Sequence, residues 1–123
     1  MTSGKDITIP GDWVGTAPEY YVYWALTKLK VNFEYQSDVI GGRAERGGAV
    51  LDFYLPDYSL GINVQSVYWH YARPNQRIND AINRLQVEGT GIILIYIDEE
   101  NAESNPIYYV QEAIKGIDHS RMT

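Results

Sequence analysis

The hydrophobic period changes several times along this chain, and each change marks an element. From Ala17 to Lys30, Val22, Ala25, Leu26 and Leu29 recur at i, i+3, i+4, i+7, the spacing of a helix with one apolar face. Its start is signalled by Thr16 as N-cap with Glu19 three residues on, the capping-box spacing, and by Pro18 in the first turn, where a missing N–H is harmless. "VNFEYQ" then alternates Val31, Phe33 and Tyr35 with Asn32, Glu34 and Gln36, the period of a half-buried strand. "AVLDFYL" and "LGINV" read as two further strands, joined by a tight "PDYS" turn in which Pro56 presets φ. The helical period returns in "RPNQRINDAINRLQVEG", where Ile78, Ala81, Ile82 and Leu85 make the clearest amphipathic helix of the chain and Gly89 offers a stop. "GIILIYI" is apolar on both alternating faces, as expected of a central strand covered by helices on both sides. An acidic loop, "DEENAESN", precedes a last helix capped by Asn105, opened by Pro106 and running to about Lys115.

The order is thus α-β-β-β-α-β-α, which argues for an α/β (α+β) fold with a mixed sheet and helices on both faces. No repeat or long linker divides the 123 residues, so one domain is expected. Its parts are an N-terminal arm (1–15), a core (16–97) and the acidic loop with the C-terminal helix (98–123). "GGRAERGG", Gly41 to Gly48, reads as a loop or flexible hairpin connection carrying Arg43 and Arg46.

Composition narrows the chemistry. There is no cysteine, which excludes disulfides, a zinc-thiolate site and a cysteine nucleophile, and fits a reducing compartment such as the cytoplasm. The longest apolar run, Ile92 to Ile97, is far too short to span a bilayer, so a soluble protein without a membrane partner is expected. The net charge of −6 opposes phosphate binding, but it is concentrated. Six acids between Asp98 and Asp118 face one lysine, whereas the other 102 residues carry ten acids and nine bases. A basic face remains open elsewhere. Eleven tyrosines suit half-buried strands and also a contact surface for a second copy or a protein partner.

The chemistry-bearing residues gather in "VLDFYLPDYSLGINVQSVYWH", Val50 to His70. Asp52-Phe53 opens a strand, Pro56-Asp57 turns, Leu60 to Val64 form a second apolar strand, and Tyr68-Trp69-His70 follows. With the acid Glu19 in the first helix, this arrangement resembles the core of the PD-(D/E)xK nuclease superfamily, above all the very-short-patch-repair type endonucleases and their homing and phage relatives. The resemblance covers roughly Pro18 to Ile97. It implies a restriction-endonuclease-like core and a Mg²⁺-dependent DNA endonuclease, acting in the host cytoplasm if phage-encoded. Asp52 and Glu19 would be its metal carboxylates, the Val64 carbonyl a further metal oxygen, and His70 the group assisting water. Arg43, Arg46, Arg73 and Arg77, with Arg84 further along, would meet phosphates with their forked donors.

The chain departs from the superfamily where it would place an acid, any residue, then lysine. It has Asn63-Val64-Gln65, two neutral amides in degenerate positions, so a weak Mg²⁺ site is expected. That departure, the acidic balance and the tyrosines support an alternative, a catalytically inactive nuclease fold kept as a structural or interaction protein, for example in a phage assembly. Each residue also has a bland reading. Asp52 can be a strand-end aspartate satisfied by arginine or backbone N–H groups, Glu19 a capping-box glutamate, His70 a hydrogen-bonded histidine, and the arginines solvated charges paired with Glu45, Asp80 or Glu88. Asn63 and Gln65 share one strand face, and line a site only if Asp52 shares it.

Overall fold

The computed structural model describes residues 2–36, 51–66 and 74–121, apart from the side chains of Pro74 and Arg77. Helix α1 spans Ala17–Lys28, β1 Glu34–Tyr35, β2 Phe53–Leu55, β3 Leu60–Gln65, α2 Pro74–Glu88, β4 Ile93–Asp98, α3 Glu99–Ser104 and α4 Pro106–Ile114. Among the described residues this is a mixed α/β arrangement of four helices and one four-stranded sheet, ordered β1-β2-β3-β4. The β1/β2 and β2/β3 pairs are antiparallel and β3/β4 is parallel, so the sheet is mixed.

Local chemistry sets the ends of these elements. Thr16 and Glu19 form the full capping box, each side chain bonded to the other's backbone N–H. The chain leaves α1 through Lys30 at φ 57° and leaves β1 through Gln36 at φ 54°, both left-handed conformations, and β1 pairs with β2 at Glu34↔Tyr54 and Tyr35↔Phe53. The alternation read from "VNFEYQ" nonetheless holds, with Val31, Phe33 and Tyr35 half-buried and Asn32, Glu34 and Gln36 exposed.

The sheet has a core on each face. On one, Phe53, Leu55, Leu60, Ile62, Ile95 and Ile97 pack against Val22, Ala25 and Leu26 of α1, Ala102 of α3, and Val110 and Ala113 of α4. On the other, Leu94 and Tyr96 pack with Leu51, Ile92 and Val87 of α2. Leu51 lies so close to Gly61 that a Cβ there would stand 2.7 Å from its side chain, so any larger residue at this strand position would have to push Leu51 aside. Burial of each large apolar side chain such as Phe53 or Leu26 contributes about 1.5–3 kcal/mol.

Three expectations change. First, the "DEENAESN" segment is helical as α3, with Ala102 buried and Glu99 and Glu100 in its first turn, where the helix dipole favours acids. Second, β4 is covered on both faces but lies at an edge of the described sheet rather than in its centre. Its outer side is blunted from within the chain, because Asp118 Oδ2 accepts the Tyr96 N–H at 3.1 Å, leaving less edge open to pairing. Third, an amphipathic helix ordinarily buries its apolar row, but α2 turns that row outward. Ile78 is 59% exposed, Ile82 49% and Leu85 72%, while Asp80 and Val87 face the sheet. The period of this helix was legible in the sequence; its rotation was not.

Candidate active site

The backbone frame around Asp52 is built by side chains that finish a ladder. The β2/β3 register ends at Phe53↔Ile62, so the next opposed pair is Asp52 and Asn63. Asn63 Oδ1 accepts the Asp52 N–H at 2.7 Å, and Asp52 Oδ2 accepts the Val64 N–H at 2.9 Å. On its other side the Asp52 carbonyl accepts the Gln36 N–H at 2.6 Å. The aspartate is therefore locked between β1 and β3, and the bland expectation, a carboxylate satisfied by backbone N–H, is part of its environment.

Asp52 also faces a cleft of about 500 Å³. Glu19 enters it from α1, Asn63, Val64 and Gln65 from β3, and Gln76, Asn79, Asp80, Ile82, Asn83 and Gln86 from α2. Three elements distant in sequence thus bring the two candidate carboxylates and both degenerate positions to one place. Glu19 serves as capping residue and cleft lining together. Its Oε1 takes the Thr16 N–H at 3.1 Å and the Tyr35 hydroxyl at 2.9 Å, and neither bond uses Oε2. The described lining holds three carboxylates, six carboxamides and no lysine or arginine. Such a cleft attracts a cation or a neutral donor-acceptor ligand, and admits a phosphate only once its charge is offset.

The hydrogen bonds order the amides. Gln65 Nε2 and Gln76 Nε2 both donate to Asp80 Oδ1, at 3.1 and 2.8 Å, and Asp80 is 8% exposed. Burial, followed by the hydrogen bond and charge of Glu19, pushes the Tyr35 hydroxyl well above the usual tyrosine range, with a smaller push from Asp52. The Tyr96 hydroxyl, on the α2 side of the sheet, is pushed up to about 12 by burial and then by the Asp80 charge, against an opposing Arg84.

Of the other residues singled out by sequence, His70, Arg43, Arg46 and Arg73 lie outside the described residues, as do Tyr68 and Trp69, and Arg77 is described only as a helical backbone position in α2. Arg84 has a structural post instead of a phosphate-facing one. Its guanidinium stacks over Tyr96 at 4.9 Å, bonds the Leu94 carbonyl and pairs with Asp118 at 3.3 Å. The tyrosines of α1 pack as expected, with Tyr20 and Tyr23 edge-on to Trp13 at 5.0 and 5.2 Å.

Asp80, Tyr35 and the α2 amides escaped sequence reasoning. The spacing of Gln76, Asn79, Asn83 and Gln86 placed them on one helix face, but nothing showed that this face, with Ile82 at its margin, borders the cleft while Ile78 and Leu85 do not. The donor set, carboxylate and carboxamide oxygens without thiolate, suits a hard cation such as Mg²⁺, and Asp52 and Glu19 are the carboxylates that could hold one. Among the described residues, no three or more His, Cys, Asp or Glu side chains gather closely enough to hold a metal by themselves. A cation held by this pair would complete its shell with backbone oxygen and water, as Mg²⁺ does. Comparison with protein-family models, with curated proteins and with solved structures gives no match for this chain. No helix among the described residues is long and apolar enough to cross a membrane.

Proposed function

We propose that this chain is a Mg²⁺-dependent DNA endonuclease of the very-short-patch-repair-like kind, with a restriction-endonuclease-like core and its active site in the α2-side cleft. The observation that carries this reading is the meeting of Glu19, Asp52 and Val64, from α1, the start of β2 and β3, on one cleft. Asp52 and Glu19 hold the metal, and the Val64 carbonyl adds an oxygen. When bound, Mg²⁺ polarises the scissile phosphate and activates water. Asp52 is suited to its role because its backbone is fixed on both sides, leaving little to reorganise. The three acids of the lining repel a phosphate unless a bound cation offsets their charge, which supports a metal-dependent reaction. His70 assists the water, and Arg43, Arg46, Arg73 and Arg77 hold the DNA backbone.

The test is cleavage of plasmid, single-stranded and branched DNA with Mg²⁺ or Mn²⁺. Nicking that needs the metal and disappears in Asp52→Ala and His70→Ala supports the reading. Intact DNA throughout, with Asp52→Ala indistinguishable from the unmodified chain, overturns it.

A second reading, an inactive nuclease fold acting as an interaction module, is favoured by two observations. Gln65, where the superfamily has lysine, donates its amide to Asp80, and α2 presents Ile78, Ile82 and Leu85 outward. This reading gains if the chain binds no metal through Asp52 and changes its oligomeric state when Leu85 is made polar.

A further inference from the structure

We propose that the Tyr35-Gln36 dipeptide at the end of β1 is the strut that sets Glu19 against Asp52, which makes Tyr35 a positioning residue for the carboxylate pair; the inference rests on the metal-site reading above. The two residues touch both acids. The Tyr35 hydroxyl donates to Glu19 Oε1 at 2.9 Å, and the next N–H, of Gln36, donates to the Asp52 carbonyl at 2.6 Å. The orientation of the hydroxyl is itself fixed. Gln36 Nε2 donates to the Tyr35 oxygen at 3.1 Å, so the phenolic hydrogen is left for Glu19.

The ring is held as firmly as its tip. It packs against Trp13 at 5.0 Å and Phe53 at 5.1 Å, the latter the residue that follows Asp52. Space for the contact is made by Gly15, where a Cβ would fall on the Tyr35 hydroxyl and stand 2.6 Å from Glu19 Oε1. Gln36 keeps a left-handed φ of 54° without being glycine, a conformation that persists where the surroundings impose it and that collects at functional sites. Ring packing, backbone and neighbouring glycine all meet at one contact between β1 and the first turn of α1. A tyrosine that only filled the core would not need a hydroxyl aimed at a cleft carboxylate.

The test compares Mn²⁺ binding, followed by calorimetry or by the spin signal of free Mn²⁺, in the unmodified chain, Tyr35→Phe, Gly15→Ala and Asp52→Asn, each also checked by thermal melting. Loss of a residue that orients a metal ligand costs about 10–100-fold in affinity, so Tyr35→Phe should weaken Mn²⁺ by that factor while melting close to the unmodified chain. The Mn²⁺ concentration for half-maximal DNA cleavage should rise by the same factor, with the rate at saturating Mn²⁺ nearly unchanged. Gly15→Ala, which displaces the same contact from the other side, should act in the same direction, and Gln36→Met, which frees the hydroxyl to rotate, should give a smaller shift. If Asp52→Asn loses Mn²⁺ but Tyr35→Phe binds as the unmodified chain does, the strut is overturned and the metal site stands. If the unmodified chain binds no Mn²⁺, both fall.

Discussion

Replacing Asn63 by aspartate returns an acid to the third strand, and its consequences can be worked from the cleft. Asn63 is 6% exposed, and its Oδ1 already accepts the Asp52 N–H at 2.7 Å, a bond that a carboxylate also makes. The new charge therefore stays in place, beside an Asp52 carboxylate fixed by the Val64 N–H. At a separation of about 5 Å and an effective dielectric near 20, two like charges repel by about 3 kcal/mol. For a domain of this size that lowers the melting temperature by about 10 °C. Crowding and repulsion raise the folded-state pKa of the new carboxyl above its unfolded value. Its contribution is therefore most favourable below the unfolded pKa and is lost as pH rises through the folded one, so the deficit against the unmodified chain is full at neutral pH and vanishes in acid. A cation should reverse it, since a ligand at 100 times its Kd stabilises by about 2.7 kcal/mol. The assay is thermal unfolding followed by circular dichroism at neutral and acid pH, with and without millimolar Mg²⁺. An N63D chain as stable as the unmodified one at neutral pH and indifferent to Mg²⁺ would refute the placement of Asn63 against Asp52 in a cation-binding cleft.

Further outcomes follow from the same structure. Leu85→Gln should change stability by less than about 0.5 kcal/mol because the side chain is exposed, whereas Leu94→Ala in the α2-side core should cost about 2–5 kcal/mol; equal, large losses in urea unfolding would mean that α2 is rotated the other way. Asp118→Ala removes the acceptor of both the Tyr96 N–H and the Arg84 guanidinium, and should cost about 1–3 kcal/mol in the same assay. Burial raises the Asp98 carboxyl above the ordinary aspartate range, against the pull of Arg121, and its Oδ1 is buried with no hydrogen-bond partner among the described residues. A raised folded pKa adds stability in acid that is lost as pH rises, so Asp98→Asn should gain on the unmodified chain toward neutral pH and lose that advantage on acidification. A pH-independent difference would show that burial of the charge is not the cause.

Signals contained within a few residues were legible in the sequence. Thr16 and Glu19 announced their capping box, Asn105 and Pro106 opened the last helix, and Val31-Phe33-Tyr35 alternated as they do in the structure. Relations between elements were not. The apolar row of α2 has the period of a core face, yet rotation about a helix axis is decided by what lies beneath it, here Tyr96 bonding the Asp80 carbonyl and Arg84 stacking on Tyr96. The segment after β4 read as loop from its acids, although the same acids suit the first turn of α3 and Ala102 gives that turn a buried anchor. At the site, Asp52, Glu19, Asn63, Val64 and Gln65 were singled out from strand order and resemblance, and they do share a cleft. Tyr35 was read as strand packing because a period of two reports which way a ring points and not what its hydroxyl reaches.

The measurement that bears most directly on the proposed metal-dependent site is a calorimetric titration of the unmodified chain and of Asp52→Ala with Mn²⁺, run beside a plasmid-nicking assay in the same buffer. Saturable binding and metal-dependent nicking in the unmodified chain, both lost in a folded Asp52→Ala, are the expected result. Equal binding by the two chains, or none by either, with the plasmid left supercoiled, would contradict it.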